Sequence, residues 1–281
     1  MKLVTLFSCF VILFLAAHSQ AEILVDIPYG TAKEQKLDIY IPAKSLNNPV
    51  LFMVHGGAWR IGDKQNRSVV KAKVERWVKQ GWVFVSINYR MLPNTDPYQQ
   101  AGDVAKALAY VQAHSAEWNA DSSKIIVMGH SAGAHLVSLL LTDTALYDAE
   151  AMKQLQGGIL LDSAALDITK IMSGKHSRLY DRAFGKDPVY WRKTSAIEHL
   201  HSNVKPMLAV CSTQRDDSCA QAHSFVTKAQ TLGVKAQQLG VDLSHTQINS
   251  NLGDDSLYTK NIEHFIRSLD PRFSVFLPPT T

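Results

Sequence analysis

Apolar residues in this chain fall into short solid runs separated by amphipathic stretches. The runs 49–54, 82–89, 124–128, 158–163 and 206–210 are almost wholly apolar, the pattern of strands covered on both faces. Two further β segments, 22–30 and 35–41, precede them. In the second, Leu37, Ile39 and Ile41 alternate with Lys36, Asp38 and Tyr40, as in a half-exposed strand. A last strand is expected over 235–241. Helical periodicity runs over 67–80, ended by Gly81, over 100–114 and 134–141, over 219–232, ended by Gly233, and over 257–269. Strands alternating with helices predict an α/β fold, a mostly parallel central sheet with helices on both faces.

The stretch 166–203 breaks this rhythm. It is too long for a plain loop and carries Tyr180, Phe184, Tyr190 and Trp191 among basic residues, Gly174, Gly185 and Pro188. Lying between two strands, it reads as a small cap whose aromatic residues wall a pocket; the alternative is a set of short helices packed on the body. No composition shift marks a domain boundary, so residues 22–281 are expected to form one domain with a frayed tail at 278–281.

Composition adds two points. With 46% hydrophobic and 19% charged residues over 281 positions, the chain is of ordinary globular balance. A net charge of +4 with scattered basic residues (Lys71, Lys73, Arg76 and Lys79 on one helix, read as a solvated face) argues against nucleic-acid binding. The N-terminus differs. Met1-Lys2, an apolar run over 3–17 and then His18-Ser19-Gln20-Ala21 form the charged, apolar and small-x-small regions of a secretory signal cut after Ala21. Export to a periplasmic or extracellular space is expected, with no stable membrane insertion afterwards. Cleavage leaves Cys211 and Cys219, flanking one short loop, and in an oxidising compartment a bridge is favoured over two thiols.

The chemistry starts at Gly129-His130-Ser131-Ala132-Gly133, between a buried strand and a helix. A G-x-S-x-G there is a nucleophile elbow, a tight turn that lifts Ser131 out of the sheet. After the strand 49–54 comes His55-Gly56-Gly57-Ala58-Trp59, whose glycines turn backbone N–H groups inward. Gly57, Ala58 and Ala132 are the expected oxyanion donors; as a bare turn, the same motif would leave His55 a core residue. His245 follows the last strand, where a general base is needed. Between them, the loop after 206–210 offers Asp216 and Asp217; Asp217 is preferred as the acid that orients His245, with Asp216 as the alternative. Serine, acid and histidine in this order make an acyl-transfer site. No metal spacing or phosphate-cradling loop is present, so no cofactor is expected.

These motifs, with Tyr29-Gly30, Leu37-Asp38-Ile39-Tyr40-Ile41-Pro42, Arg60-Ile61-Gly62-Asp63, Asn88-Tyr89-Arg90, the stretch 103–108 and Ser244-His245, extend over essentially the whole mature chain. It resembles the α/β-hydrolase serine esterases of the hormone-sensitive-lipase-like and kynurenine-formamidase-like groups. The resemblance implies a hydrolase of small carboxylic esters acting through an acyl-enzyme, with an arylformamidase-like amidase as the alternative and a non-catalytic binding protein as a further one. Relatives often have a third glycine where Ala58 stands, and a histidine-glycine pair where this chain has Cys211-Ser212. The second departure leaves both aspartates open.

Overall fold

The computed structural model describes residues 21–43, 47–147 and 149–279. Residues 1–20 of the expected signal segment 1–21 and the last two residues of the tail lie outside the described residues. In chain order come strands β1 (Glu22–Pro28), β2 (Lys36–Ile41) and β3 (Asn48–Val54), helix α1 (Arg67–Lys73), extended by a π-helical turn over Val74–Val78, and strand β4 (Val83–Ile87). Helix α2 (Pro97–His114), strand β5 (Ala120–His130), helices α3 (Ala132–Thr142) and α4 (Ala149–Gln154) and strand β6 (Leu155–Leu161) follow. The insertion contains helices α5 (Ile168–Met172), α6 (Arg178–Phe184) and α7 (Pro188–Lys193). The chain closes with β7 (Met207–Ser212), α8 (Asp216–Thr231), β8 (Ala236–Val241), α9 (His245–Ser250) and α10 (Leu257–Leu269).

The eight strands form one sheet in the order β1-β2-β4-β3-β5-β6-β7-β8, antiparallel at β1–β2 and β2–β4 and parallel elsewhere. Alternation inside the solid runs sorts their side chains into two cores. Val50, Phe52, Val54, Val85, Val127 and Ala209 face one side, with Val104 of α2, Leu136 of α3 and Phe225 of α8. Leu51, Met53, Phe84, Ile126, Met128 and Val210 face the other, with Trp77, and with Ile262 and Phe265 of α10. Burial of both faces explains why polar residues are so sparse in these strands.

Boundaries depart from the expected ones where capping decides them. Helix α2 starts at Pro97 rather than 100, because Asp96 caps it: its carboxylate accepts from Tyr98 N and Gln99 N, and the Gln99 side chain reaches back to the Asp96 N–H. Helix α8 starts at Asp216 rather than 219. Lys73 and Arg76 do not belong to a solvated face. Lys73 is buried, and Arg76 is paired with Glu263 of α10 at 2.7 Å.

The chain leaves β3 towards β4 on one side of the sheet and leaves β5 towards β6 on the other. The crevice at the ends of β3 and β5 is therefore the switch point at which open α/β sheets hold ligands. Two glycines let the chain close up there. A Cβ on Gly133 would sit 2.3 Å from Val54 O, and one on Gly129 2.3 Å from Gly133 O. By contrast, a Cβ on Gly102 in the middle of α2 would meet nothing within 4 Å. Gly133→Ala is therefore expected to lose stability and any Ser131 reactivity together, whereas Gly102→Ala should stabilise the protein by about 1 kcal/mol. Chemical denaturation of the two variants checks both signs.

Candidate active site

Ser131 occupies the turn between β5 and α3 with φ 55° and ψ −118°, a conformation that is strained for a residue with a Cβ. Its N–H donates to Leu161 O of β6 at 2.8 Å, pinning the turn to the neighbouring strand. Helix α3 begins at the next residue, so the N–H of Ala132 is one of the unbonded donors of a helix start. The loop after β3 curls in left-handed conformations through Gly57, Ala58 and Trp59, with φ of 125°, 51° and 60°. Neither Gly57 N nor Ala58 N finds a backbone acceptor among the described residues. Trp59 anchors this loop: its Nε1 donates to His135 Nδ1 at 3.1 Å, and His135 Nε2 in turn donates to Thr194 O at the end of α7. Burial pushes the His135 imidazole down to about 4, so it stays neutral and keeps this donor–acceptor polarity. His55 stacks on Tyr89 at 4.5 Å, and Tyr89 Oη donates to His55 O. Burial lowers its pKa as well. It braces the loop, as in the plainer reading of that histidine.

His245 is the first residue of α9, which Ser244 caps. Its Nδ1 lies 2.6 Å from Oδ2 of Asp162, a residue absent from the expected set. Asp162 follows β6 and is fully buried, with φ 52°. Oδ1 accepts from Ser212 N at 2.8 Å and from the Ser218 hydroxyl; Oδ2 accepts from His245 Nδ1 and, at 2.7 Å, from Arg215 Nη1. Burial pushes this carboxyl up, but hydrogen bonds from His245, Ser218, Ser212 and Arg215 outweigh it and hold the group well below the usual carboxylate range. A carboxylate only accepts, so the His245 proton sits on Nδ1 and Nε2 is left free to accept.

Asp216 and Asp217 do not take this place. Because α8 starts at Asp216, both occupy its exposed first turn, where acidic side chains favour the helix dipole. Asp217 pairs with Arg215 Nη2 at 3.3 Å, and neither aspartate approaches His245 within an ion-pair or hydrogen-bond distance. What the loop after β7 presents to His245 is Arg215, with Nη1 2.9 Å from Nδ1. Cys211 and Cys219 are joined by a disulfide. The span it closes contains Ser212, Arg215 and Ser218, three of the four donors to Asp162. One signal for Asp162 stood in the sequence: an acidic residue at the end of an apolar strand must be buried, and a buried carboxylate needs donors.

Two further residues hold α9, one of them at His245 itself. His130 Nε2 donates to His245 O at 2.9 Å, with the two rings 4.5 Å apart, and burial drives the His130 imidazole down to about 3. The Lys73 ammonium donates to Asn249 O and Oδ1 of α9, at 2.6 and 3.0 Å, and to Ser68 O.

Ser131, Ala132, Ala58, Trp59, Asp162 and His245 meet in a cleft of about 310 Å³. Of the four insertion aromatics, Tyr180 walls this cleft, packed against Trp59 with ring centres 6.0 Å apart. Phe184 is buried beneath Trp59, Tyr190 donates to Asp96, and Trp191 bonds within the insertion at Gly185 O. The two readings of this segment therefore divide: one aromatic residue at the site, three in packing. Among the described residues no cluster of His, Cys, Asp and Glu could hold a metal ion, and no helix is long and apolar enough to cross a membrane.

Comparison with known proteins agrees with this architecture. The BD-FAE family model matches residues 37–230. Kynurenine formamidase of Danio rerio is 28% identical over 211 residues, covering 74% of this chain and 65% of that one. A Mycobacterium tuberculosis protein described as a probable carboxylic ester hydrolase, LipM, is 29% identical over 242 residues, covering 79% of this chain and 55% of that one. The match thus spans less than two thirds of the length of these curated relatives. The apo form of Thermogutta terrifontis esterase 2 superposes with a TM-score of 0.71 at 23% identity, over 95% of this chain and 99% of that one. The fold is that of the α/β-hydrolases.

Two stability outcomes follow from the buried charges. Asp162 is more acidic folded than unfolded, so its contribution is complete above the ordinary carboxylate range and is lost only as pH falls below about 4. Asp162→Asn should cost about 3 kcal/mol at pH 7, a gap that narrows in acid, while Asp216→Asn and Asp217→Asn stay within about 0.5 kcal/mol of wild type. Burial pushes the Lys73 ammonium down to about 7, against a pull upward from Asp254. Its charged form is penalised in the fold, so the stability of wild type relative to Lys73→Met should climb as pH rises from about 7 towards 9. Urea midpoints across pH read both.

Proposed function

The chain belongs to the BD-FAE family, and from that premise we propose that it is a serine hydrolase of small carboxylic esters, with Ser131 as nucleophile, His245 as general base and Asp162 as the acid that orients it. The observation that carries the reading is the 2.6 Å contact of Asp162 Oδ2 with His245 Nδ1 at the cleft that Ser131 lines.

His245 Nε2 takes the Ser131 proton as Oγ attacks the ester carbonyl. Negative charge grows on the carbonyl oxygen, and the N–H groups of Gly57, Ala58 and Ala132 receive it. Each such donor is worth about 3 kcal/mol of transition-state stabilisation. The imidazolium, held by Asp162, protonates the leaving alcohol and leaves an acyl-enzyme. Water enters, His245 deprotonates it, and a second tetrahedral intermediate releases the acid and restores Ser131. Asp162 stays ionised throughout; it orients the ring and stabilises its cation.

The size of the cleft and its Trp59 and Tyr180 walls favour small acyl groups. Similarity to kynurenine formamidase favours a second reading, an N-formyl arylamine substrate, on the same machinery. Export to an oxidising space is supported by the apolar segment before Ala21 and by the Cys211–Cys219 bridge.

A fluorophosphonate probe should label wild type and not Ser131→Ala. On 4-nitrophenyl acetate, Asp162→Asn should lower kcat by about 10³- to 10⁴-fold, with Asp217→Asn close to wild type. Wild-type rates in Asp162→Asn would overturn the assignment of the acid, and absence of Ser131-dependent labelling would overturn the enzyme reading. Faster turnover of N-formyl arylamines than of aryl acetates would decide for the formamidase.

A further inference from the structure

The loop after β7 brings a cation to the Asp162–His245 pair. Arg215 Nη1 is 2.7 Å from Asp162 Oδ2 and 2.9 Å from His245 Nδ1, and Nη2 is 3.3 Å from Asp217 Oδ1. The Arg215 side chain is part-exposed and forms part of the wall of the Ser131 cleft. Whenever His245 carries the serine proton, two adjacent cations therefore share one buried carboxylate. Like charges at hydrogen-bond distance oppose each other. Asp217 offsets the arginine from the outer side, but it is 59% exposed and its charge is spent largely on solvent. An anion in the cleft would do what Asp217 does weakly: engage the outer N–H groups of Arg215 and relieve the imidazolium.

A second observation points the same way. Tyr180 and Ala164, which wall the cleft, also wall an adjoining hollow of about 550 Å³ between the α5–α6 region and α8. Lys170 and Lys175 stand exposed on it, and among the described residues neither has an ion-pair partner. His176, also there, is paired with Asp181, and the one acidic residue lining the hollow is Asp217, already engaged by Arg215.

We propose that the site selects esters that carry an anionic group, a carboxylate above all, within a few bonds of the scissile carbonyl. Arg215 is its receptor in the cleft, and Lys170 and Lys175 attract it along the adjoining hollow. No bond forms or breaks at Arg215, which acts as a specificity-determining residue. The inference rests on the esterase reading and narrows its substrate class.

Two matched pairs of esters test it, one with the charge on the acyl side and one with it on the alcohol side. The first compares mono-4-nitrophenyl glutarate with 4-nitrophenyl pentanoate. The second compares 4-acetoxybenzoate with its methyl ester. The readout is the ratio of kcat/KM for the charged over the neutral member, which cancels any general loss of activity in a variant. Arg215→Met should lower this ratio at least tenfold in one pair, and the pair that responds tells which side carries the anion. Arg215→Lys should keep part of the ratio. Lys170→Met and Lys175→Met should lower it less, with an effect that fades at high salt. A ratio unchanged in Arg215→Met for both pairs, while the neutral esters are still cleaved through Ser131, overturns this inference and leaves the esterase reading standing. Absence of Ser131-dependent cleavage of all four esters overturns both.

Discussion

A carboxylate with none of its surface in water has to be given its partners by the fold, and the carboxylate of Asp162 receives four donors from four points of the chain. Ser212 N comes from the end of β7, the Ser218 hydroxyl from the first turn of α8, the Arg215 guanidinium from the loop between β7 and α8, and His245 Nδ1 from the start of α9. Removing any of these leaves part of a buried charge unpaired, which costs more than an exposed contact would. The neighbouring elements are thereby held in register. Strand β7 must lie beside β6, α8 must begin where it does, and α9 must present its first residue to the cleft.

Other features of the site serve the same centre from further out. The Cys211–Cys219 bridge closes the span that supplies three of the donors, limiting how far they can drift. Lys73 and His130 hold α9 from below through Asn249 and the His245 carbonyl. On the other side, Gly129 and Gly133 let β5, α3 and the end of β3 approach closely enough to bring Ser131 beside the loop that follows β3. His135 then ties that loop, through Trp59, to the end of α7. Burial pushes His130 and His135 down to about 3 and about 4, so their hydrogen bonds persist across the range in which an ordinary histidine would change charge; burial lowers His55 as well.

Much of the fold was legible because its signals are local. Solid apolar runs such as 49–54 and 124–128 mark covered strands, and the elbow and the His55-Gly56-Gly57 turn announce themselves by residues that only a tight backbone requires. The carboxylate beside His245 was not legible in that way. Asp216 and Asp217 stand in the loop that a sequence reading searches first, yet an extra three residues of helix turn both outward. Asp162 is hidden directly behind the last residue of β6, since its place beside His245 depends on contacts to residues 50 and more positions away. Lys73 departs from its local pattern for the same reason: on a helical wheel it joins a basic face, whereas α9 packs over it and supplies carbonyl acceptors that no local pattern encodes. Long-range pairing of buried charges is the part of this structure that periodicity does not carry.

The central claim is that Asp162, and neither of the helix-start aspartates, holds the His245 proton. The most direct test is NMR of protein labelled with ¹⁵N-histidine, following the downfield Nδ1-bound proton of His245, assigned by its loss in His245→Gln. The resonance should persist in Asp216→Asn and Asp217→Asn and should be lost or move strongly upfield in Asp162→Asn. A resonance that survives in Asp162→Asn and disappears in Asp217→Asn would contradict the account.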